Sequence, residues 1–529
     1  MRHSAAAGVA RNIRLPLIRF RHSLLTFQTS FRSHSPARYS PSFPRRVIPP
    51  TTRTRQTALK TRTLAIFLVA LALSPSLWAA SKPNIVYILV DNWGWGDISL
   101  QGGTMPTPRI EELASQGLRM TNFNVQNQCT PTRSAIHTGR LPIRSGTQKV
   151  PAPGEPQGMA PWEYTIAELL SDAGYATALY GKWHIGDKDG RLPNDQGYDE
   201  WYGTKESAME ASYTSTPQFD PEVFDVPYIW TGKRGEKSKK VKEFDLEARA
   251  ELDGEIVKKT AAFIRKQARA DRPFYIYAAF THIHPPFLPH ESFNGRSGVG
   301  AYADIQLQVD SYVGEIVDAV DRAGVASDTI IILTGDNAAG EQSEAWTGEG
   351  GSNGPWRGGL STGYEGGMRT PGMIRWPDRI PAGVVSDEIF SDLDWFPTLA
   401  HLIGEQARIP TDRPIDGVDQ SDFLMGNQES SNREYIVTYV GDRVFAVKWR
   451  SLKVHFFTAE GTFSPIVEPT FPKVYDIKND PGESRELWAA EGYAHLWVMK
   501  PVMEILGRLA QSMQQYPNIP PGKDFEGYR

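Results

Sequence analysis

The sequence of 529 residues contains a single cysteine, Cys129, so no disulfide can form within the chain. Exported proteins normally use cysteines in pairs, as disulfides. A lone cysteine in such a protein is a buried bystander, a reactive thiol or a residue destined for modification. It stands in the stretch CTPTRSAIHTGR, beside threonine, proline and arginine residues.

Acidic residues are absent from the start of the chain, where the first is Asp91. Residues 1–80 contain twelve Arg and one Lys instead. Setting these 13 cations aside leaves 44 of the 57 Lys and Arg residues against 61 Asp and Glu, a formal balance of −17. A body this acidic disfavours nonspecific binding to nucleic acid or anionic membranes, so we expect no nucleic-acid partner.

The N-terminal leader lacks an apolar run of transmembrane length. Its run from Leu64 to Leu73 has ten residues, about half of what a membrane-spanning helix needs. The run lies between basic residues and Ala79, which is the pattern of a cleaved signal peptide at about 60–80. We expect residues 1–80 to be a basic, disordered leader, with no stable membrane anchor in the mature protein. The predicted location is exported, either periplasmic or extracellular; an uncleaved anchor is the alternative.

The full sequence of 529 residues is 40% apolar and long enough to bury a sizeable core. The segment from Ile85 to Val90 is a continuous apolar run that ends abruptly in polar residues. Such runs predict buried parallel strands, whose carboxyl ends carry ligand-binding groups. The same pattern recurs at three other strand ends, which deliver Lys182 and His184, then His282 and His284, then Asp336 and Asn337.

These elements predict an α/β fold with a large mixed, mostly parallel sheet flanked by helices. Residues 81–400 are assigned to this catalytic domain. From about 401 to 529 the sequence predicts a smaller α+β subdomain built on an antiparallel sheet, with a tight turn at Gly441 and Asp442 and a closing helix. A polar insertion from Lys205 to Glu243 is expected to lie over the site.

Two Asp-Asn pairs, Asp91-Asn92 and Asp336-Asn337, each follow a predicted strand. Hard oxygen ligands in this number favour Ca²⁺, with Mg²⁺ as the alternative, over zinc. The competing interpretation is that they cap the helices that follow.

The residues around Cys129 predict the start of a helix, with Pro131 in the first turn. Arg133, four residues after Cys129, then lies on the same helical face. A helix N-terminus beside a guanidinium is expected to depress the pKa of a thiol and to attract an anion. The pattern thus indicates an anion site with a reactive residue at position 129.

Cys-Thr-Pro-Thr-Arg, followed by Thr-Gly-Arg at 138–140, resembles the signature of the sulfatase family. Other segments resemble the family's motifs in the same order: VDNWGWGD, GKWHIG, HIHPP, TGDN and YEGGMRTPGMIRWP. The resemblance implies an alkaline-phosphatase-like fold and a hydrolase of sulfuric esters. It also implies that the cysteine is oxidised to Cα-formylglycine by a formylglycine-generating enzyme, and that the hydrated aldehyde is the nucleophile.

The resemblance also implies roles for individual residues. The metal ligands would be the two Asp-Asn pairs together with residue 129. Arg133 would hold residue 129, Lys182 would bind the sulfate, His184 would take a proton from the hydrate, and His284 would protonate the leaving group. His282 is a weaker candidate, behind the site. The substrate would be an aryl or carbohydrate sulfate, small or oligomeric.

Two positions depart from the family pattern. Many sulfatases have Asp-Asp where this chain has Asp91-Asn92, and a lysine where it has Leu360. Arg357 is the candidate replacement for that missing cation in binding the substrate. The departures leave two alternatives open: a phosphodiester or phosphonate monoester hydrolase of the same superfamily, or a weakened homologue that binds anionic glycans.

Overall fold

The computed structural model describes residues 82–340 and 350–528. The predicted leader and its signal peptide lie outside these residues. Within them, no helix has the length and apolar character required to cross a membrane.

The strands of the described residues form three sheets. In chain order they are β1 (Asn84–Val90), β2 (Leu118–Met120), β3 (Phe123–Asn124), β4 (Ala176–Lys182), β5 (Glu200–Thr204), β6 (Tyr228–Lys233), β7 (Lys239–Glu243), β8 (Phe274–Ala279), β9 (Thr329–Gly335), β10 (Gly372–Arg375), β11 (Val384–Ser386), β12 (Phe390–Ser391), β13 (Tyr435–Val440), β14 (Arg443–Trp449), β15 (Leu452–His455) and β16 (Lys473–Asp476).

The largest sheet has ten strands in the order β11-β2-β10-β9-β1-β8-β4-β5-β6-β7. Its centre, from β9 to β5, is entirely parallel, whereas β10, β6 and β7 pair antiparallel with their neighbours. The short strands β3 and β12 form a parallel pair of their own. The predicted large, mostly parallel mixed sheet is therefore confirmed.

Helices cover both faces of this sheet. In chain order, the helices of the described residues are α1 (Pro108–Ser115), α2 (Cys129–Thr138), α3 (Ile166–Asp172), α4 (Leu246–Ala270), α5 (Ala301–Arg322), α6 (Glu365–Met368), α7 (Trp395–Leu402), α8 (Ser421–Leu424), α9 (Leu487–Glu491) and α10 (Met499–Gln515). Alternate residues of β1 explain the two layers. Val86 and Ile88 pack in one core with α4 and α5, and Ile85 and Tyr87 pack in the other with α2, α3 and α7.

The C-terminal part has the predicted antiparallel sheet. Its four strands run in the order β13-β14-β15-β16. Strands β13 and β14 are joined at Gly441 and Asp442, where Gly441 has a φ of 57°. Helix α10 packs against this sheet through Val502 and Ile505. Both sheets belong to one compact unit.

A buried charge cluster joins the two sheets. The Glu365 carboxylate, at the start of α6, accepts hydrogen bonds of 2.9 Å from both Lys448 and Lys453 of the C-terminal sheet. Arg369 adds a third bond of 2.6 Å. Burial alone would raise the pKa of Glu365, but the three cations outweigh it and hold the pKa well below its usual value.

We expect Glu365→Gln to lower the free energy of unfolding by about 3 kcal/mol, because it leaves buried cations without their counter-charge. Because the pKa of Glu365 is lower in the folded state than in the unfolded chain, its stabilising effect should be complete above about pH 4.5 and decline as the pH falls. Urea unfolding at several pH values measures both the loss of unfolding free energy and its dependence on pH. Glu434→Gln, which breaks an exposed pair with Arg450, is the control and should change stability by less than about 1 kcal/mol.

Candidate active site

Four neighbouring parallel strands end at one edge of the main sheet. Their order is β9-β1-β8-β4, and the register aligns their ends: Val90 lies opposite Gly335, and Gly181 lies opposite Ala279. The residues that follow each strand therefore meet. A Cβ atom at Gly181 would lie 1.8 Å from the Ala279 carbonyl oxygen, so the glycine is required for β4 and β8 to approach here.

Asp91, Cys129 and Asp336 come together at this edge. One ligand atom from each lies within 4.8 Å of the others. The Cys129 Sγ atom is 3.6 Å from Asp91 Oδ1 and 4.0 Å from Asn92 Oδ1. The Asn92 backbone N–H donates to Asp336 Oδ1 at 3.1 Å. Two distant Asp-Asn pairs and the single cysteine thus share one buried cluster.

Two cations balance the two carboxylates. Arg133 donates from Nε and Nη2 to Asp336 Oδ2, at 3.0 and 2.8 Å, and from Nη1 to the Lys182 carbonyl oxygen at 2.7 Å. Lys182 Nζ donates to Asp91 Oδ2 at 2.7 Å. All four side chains are fully buried. Arg133 therefore bonds to the Asp336 carboxylate, whereas the resemblance implied that it would hold residue 129.

Cys129 is the first residue of α2, as predicted, but its thiol is not activated. Burial raises the pKa of Cys129 well above its usual value. The charges of Asp336 and Asp91 raise it further, and the opposite effect of Lys182 and Arg133 does not offset them. The expectation of a depressed pKa is wrong, because the carboxylates that approach the thiol come from other strands. A thiol in this position stays protonated and is a poor nucleophile.

The donor set suits a hard divalent cation. It consists of carboxylate and amide oxygens, which Ca²⁺ and Mg²⁺ prefer. The Asn337 Oδ1 atom is buried and lacks a hydrogen-bond donor among the described residues. Asn337 Nδ2 and Asn92 Oδ1 are hydrogen-bonded to each other. A buried side-chain carbonyl oxygen without a donor, in the residue after Asp336, fits the role of a metal ligand.

Two imidazoles flank the cluster. Burial, with the charges of Lys182 and Arg133, holds the pKa of His184 well below its usual value. Burial and Lys182 lower the pKa of His284 to about 3. The Nδ1 atom of His284 lies 2.6 Å from the Pro285 carbonyl oxygen, so Nδ1 carries the hydrogen and Nε2 is the acceptor nitrogen of the ring. Both rings are neutral at pH 7.

His282 lies behind the site, as expected. Its backbone carbonyl accepts the Asp91 N–H at 2.9 Å, and its Nδ1 lies 2.8 Å from the Asp253 carboxylate on α4. Arg249, also on α4, donates to the carbonyl oxygens of Thr281 and His284. These contacts fix the backbone that carries His284.

Arg357 and Leu360 lie on the segment that leads into α6. The Arg357 guanidinium donates to Glu460 at 2.7 Å and to the Glu483 carbonyl oxygen at 2.9 Å, so it is engaged with the C-terminal part of the chain. Leu360 is buried, and its Cβ would be 2.9 Å from a Cβ at Gly340. Substrate binding by Arg357 remains a prediction.

Sequence reasoning expected the insertion that begins at Lys205 to lie over the site, but it did not identify Ser207 as a neighbour of His284. Strand β5 pairs parallel with β4, and Lys182 lies opposite Thr204, so the next residues reach the same edge. Ser207 Oγ lies 3.3 Å from His284 Nε2, and the Lys205 carbonyl oxygen accepts the His184 N–H at 2.9 Å. The apolar residues just before Lys205 could have predicted strand β5 from the sequence. The predicted insertion thus has two parts. Lys205 and Ser207 contact the imidazoles, and β6 and β7 extend the sheet.

Comparisons with known proteins agree with this geometry. Residues 83–405 match the family model described as Sulfatase, and residues 431–521 match the C-terminal region of aryl-sulfatase. The chain is 34% identical to human arylsulfatase A over 452 residues, covering 79% of this chain and 85% of that protein. It is 34% identical to dog N-acetylgalactosamine-6-sulfatase over 393 residues, covering 72% and 73%. The crystal structure of the PsFucS1 sulfatase from Pseudoalteromonas sp. superposes with a TM-score of 0.76 at 30% identity, covering 83% of this chain and 92% of that one.

Proposed function

The chain belongs to the sulfatase family, and from this premise we propose that it releases inorganic sulfate from an aryl or carbohydrate sulfate ester through a formylglycine hydrate at position 129 and a divalent cation. The observation that carries the proposal is the position of Cys129. The only cysteine of the chain lies 3.6 Å from an aspartate of a buried carboxylate pair, where burial raises the pKa of its thiol well above the usual value.

The cation would be held by Asp91, Asn92, Asp336 and Asn337, with residue 129 as a further ligand. We favour Ca²⁺ over Mg²⁺, because the ligand set is large and built entirely of protein oxygens. When bound, such an ion polarises sulfate oxygens and acidifies the attacking hydroxyl.

The charges of the site suit an anionic ester. Asp91 and Asp336 are balanced by Arg133 and Lys182, so these four side chains sum to zero. With a divalent cation bound, two positive charges are in excess. One is matched by the sulfate ester and the other by the deprotonated nucleophile. Lys182, already 2.7 Å from Asp91, is the chain's own cation for the sulfate oxygens.

An aldehyde hydrate supplies two hydroxyl groups, one to attack sulfur and a second whose deprotonation reforms the carbonyl and expels sulfate. His184 is neutral and its buried Nδ1 has no partner among the described residues, so it can accept a proton from the hydrate. His284 presents Nε2 to the leaving oxygen. The negative charge of the bound ester favours its protonated form, which then donates to the departing alcohol.

Removal of divalent cations should lower the rate of 4-nitrophenyl sulfate hydrolysis by at least about a hundredfold, since even one oxyanion contact is worth that much. Ca²⁺ should restore the rate after dialysis, and should do so better than Mg²⁺. Full activity in excess chelator would contradict the metal proposal. A rise in melting temperature on adding Ca²⁺ provides a readout that does not depend on activity.

His284→Ala should affect substrates according to their leaving groups. For a sugar sulfate, whose alkoxide is a poor leaving group, kcat should fall by about 10²- to 10⁴-fold. For 4-nitrophenyl sulfate the fall should be smaller, because nitrophenolate departs without a proton. Steady-state kinetics on both esters measures the difference. Equal losses on the two esters would remove His284 from the role of general acid.

The superfamily alternative is tested on the same protein preparation. Comparison of 4-nitrophenyl sulfate with an aryl phosphonate monoester should give the higher kcat/KM for the sulfate. The reverse preference would make the protein a phosphonate monoester hydrolase with the same nucleophile.

We further propose that the protein is exported, to the periplasm or the extracellular space, and that a formylglycine-generating enzyme is its partner during maturation. The leader of residues 1–80 and the sulfatase signature at Cys129 are the grounds for these two proposals. Its working partner is then the sulfated substrate, small or oligomeric.

A further inference from the structure

A short segment from Lys205 to Glu210 lies on the leaving-group side of the site. It touches both imidazoles, through the Lys205 carbonyl oxygen at His184 N and through Ser207 Oγ at His284 Nε2. Because His284 Nε2 has to face the oxygen that departs, the groups beside Ser207 face the body of the substrate rather than its sulfate.

Glu206 and Glu210 form a carboxyl pair in this segment. Their side chains are hydrogen-bonded to each other, which requires one shared proton. Burial raises the pKa of both, and that of Glu210 to well above its usual value. Gln157 Nε2 donates to Glu206 Oε1 at 2.7 Å, and the Ser207 N–H reaches Glu210 Oε1 at 3.4 Å. Both glutamates are half-buried, so solvent and substrate can reach them.

The Glu206–Glu210 pair has unused hydrogen-bond acceptor positions but a small net charge. Sharing a proton leaves it with one negative charge. Asp187 adds a further negative charge near Glu206, while Lys205 acts on Glu206 and Lys182 acts on Glu210 as cations. Two carboxyl groups offer several acceptor positions, of which only some are used by Gln157 and Ser207. The steps of the proposed mechanism make no use of them.

We propose that Glu206 and Glu210 bind the hydroxyl groups of the sugar ring that carries the sulfate, and so select a substrate ring with no second anionic group. This inference rests on the proposed function and narrows its substrate class from aryl or carbohydrate esters to uncharged sugar monosulfates. Ser207 belongs to the same subsite and positions the leaving oxygen at His284.

The physical reason is that the carboxyl oxygens of Glu206 and Glu210 lose water when the substrate binds, and must then accept hydrogen bonds from the substrate. Sugar hydroxyls provide O–H donors next to the ester, whereas an aromatic ring would cover the carboxyls without pairing them. A uronate or a second sulfate beside the ester would meet a like charge in a partly buried place, which disfavours binding.

The test compares Glu210→Gln and Glu206→Gln with wild type on galactose 6-sulfate and 4-nitrophenyl sulfate. The ratio of kcat/KM for the sugar to that for the aryl ester should fall about ten- to a hundredfold, the value of a hydrogen bond to a charged group. The loss should appear in KM, whereas His284→Ala should act on kcat. The exposed Glu222→Gln, on the same connection, is the matched control and should leave the ratio unchanged.

An unchanged ratio in both variants would overturn the inference while leaving the sulfatase function intact. So would a wild-type preference for a disulfated galactose over galactose 6-sulfate. If the wild type released sulfate from no ester, the proposed function would fail instead. Calorimetric titration of wild type and Glu210→Gln with galactose 6-sulfate would then still decide the subsite, through a tenfold or greater difference in Kd or its absence.

Discussion

Cys129→Ala should reduce sulfate release by at least about 10⁴-fold, the order of effect that follows removal of a catalytic nucleophile. The fold should survive, because the side chain is small and its Sγ contacts in the site, at 3.6 and 4.0 Å, are long. Initial rates with 4-nitrophenyl sulfate measure the loss, and thermal unfolding confirms that the variant is folded.

Cys129→Ser is the sharper companion variant. In a host that oxidises cysteine, the serine stays an alcohol with only one hydroxyl group. It can accept sulfate but has no second hydroxyl with which to expel it. We therefore expect one turnover at most, with sulfate retained on the peptide containing residue 129. Repeated turnover by this variant would contradict a mechanism that needs a hydrate.

Asp336→Asn should lower activity by on the order of 10³-fold and abolish the stabilisation of the protein by Ca²⁺. Asp336 accepts two hydrogen bonds from Arg133 and one from the Asn92 backbone. An amide at this position has no charge for the metal, and it leaves Asp91, at 3.7 Å, as the carboxylate partner of Arg133 in the site. Melting curves with and without Ca²⁺, run beside the kinetics, measure both effects.

Asn92→Asp is the matched control for that substitution, because it adds a carboxylate at the same site and restores the pair found in many sulfatases. We expect it to bind Ca²⁺ more tightly than wild type, with the side-chain oxygen still accepting from Asn337. If Asp336→Asn kept the full Ca²⁺ shift, or Asn92→Asp lost it, the proposed ligand set would be wrong.

The positions of the charged site residues followed from the sequence. Asp91, Lys182, His284 and Asp336 each come after a buried apolar run, and parallel strands deliver their carboxyl ends to one edge. This prediction required no knowledge of contacts between distant segments of the chain. The start of α2 at Cys129 could also be predicted from nearby residues, because proline is tolerated in the first turn of a helix.

What the sequence could not give is the pairing between distant segments. The pKa of Cys129 depends on carboxylates from two other strands, and these reverse the effect expected from its own helix. Arg357 could be placed near the site by its motif, but its bond to Glu460 depends on how the C-terminal part packs. The insertion from Lys205 was expected over the site, but the contact of Ser207 with His284 was missed because β5 was not identified as a neighbour of β4.

The chemical state of residue 129 is the most direct measure of the central claim. The tryptic peptide of residues 120–133 contains it, and mass spectrometry of protein made in a host with a formylglycine-generating enzyme can read it. We predict a peptide lighter by about 18 Da than the unmodified sequence, the difference between an aldehyde and a thiol side chain. A peptide carrying only unmodified cysteine, in protein that still hydrolyses sulfate esters, would contradict the claim.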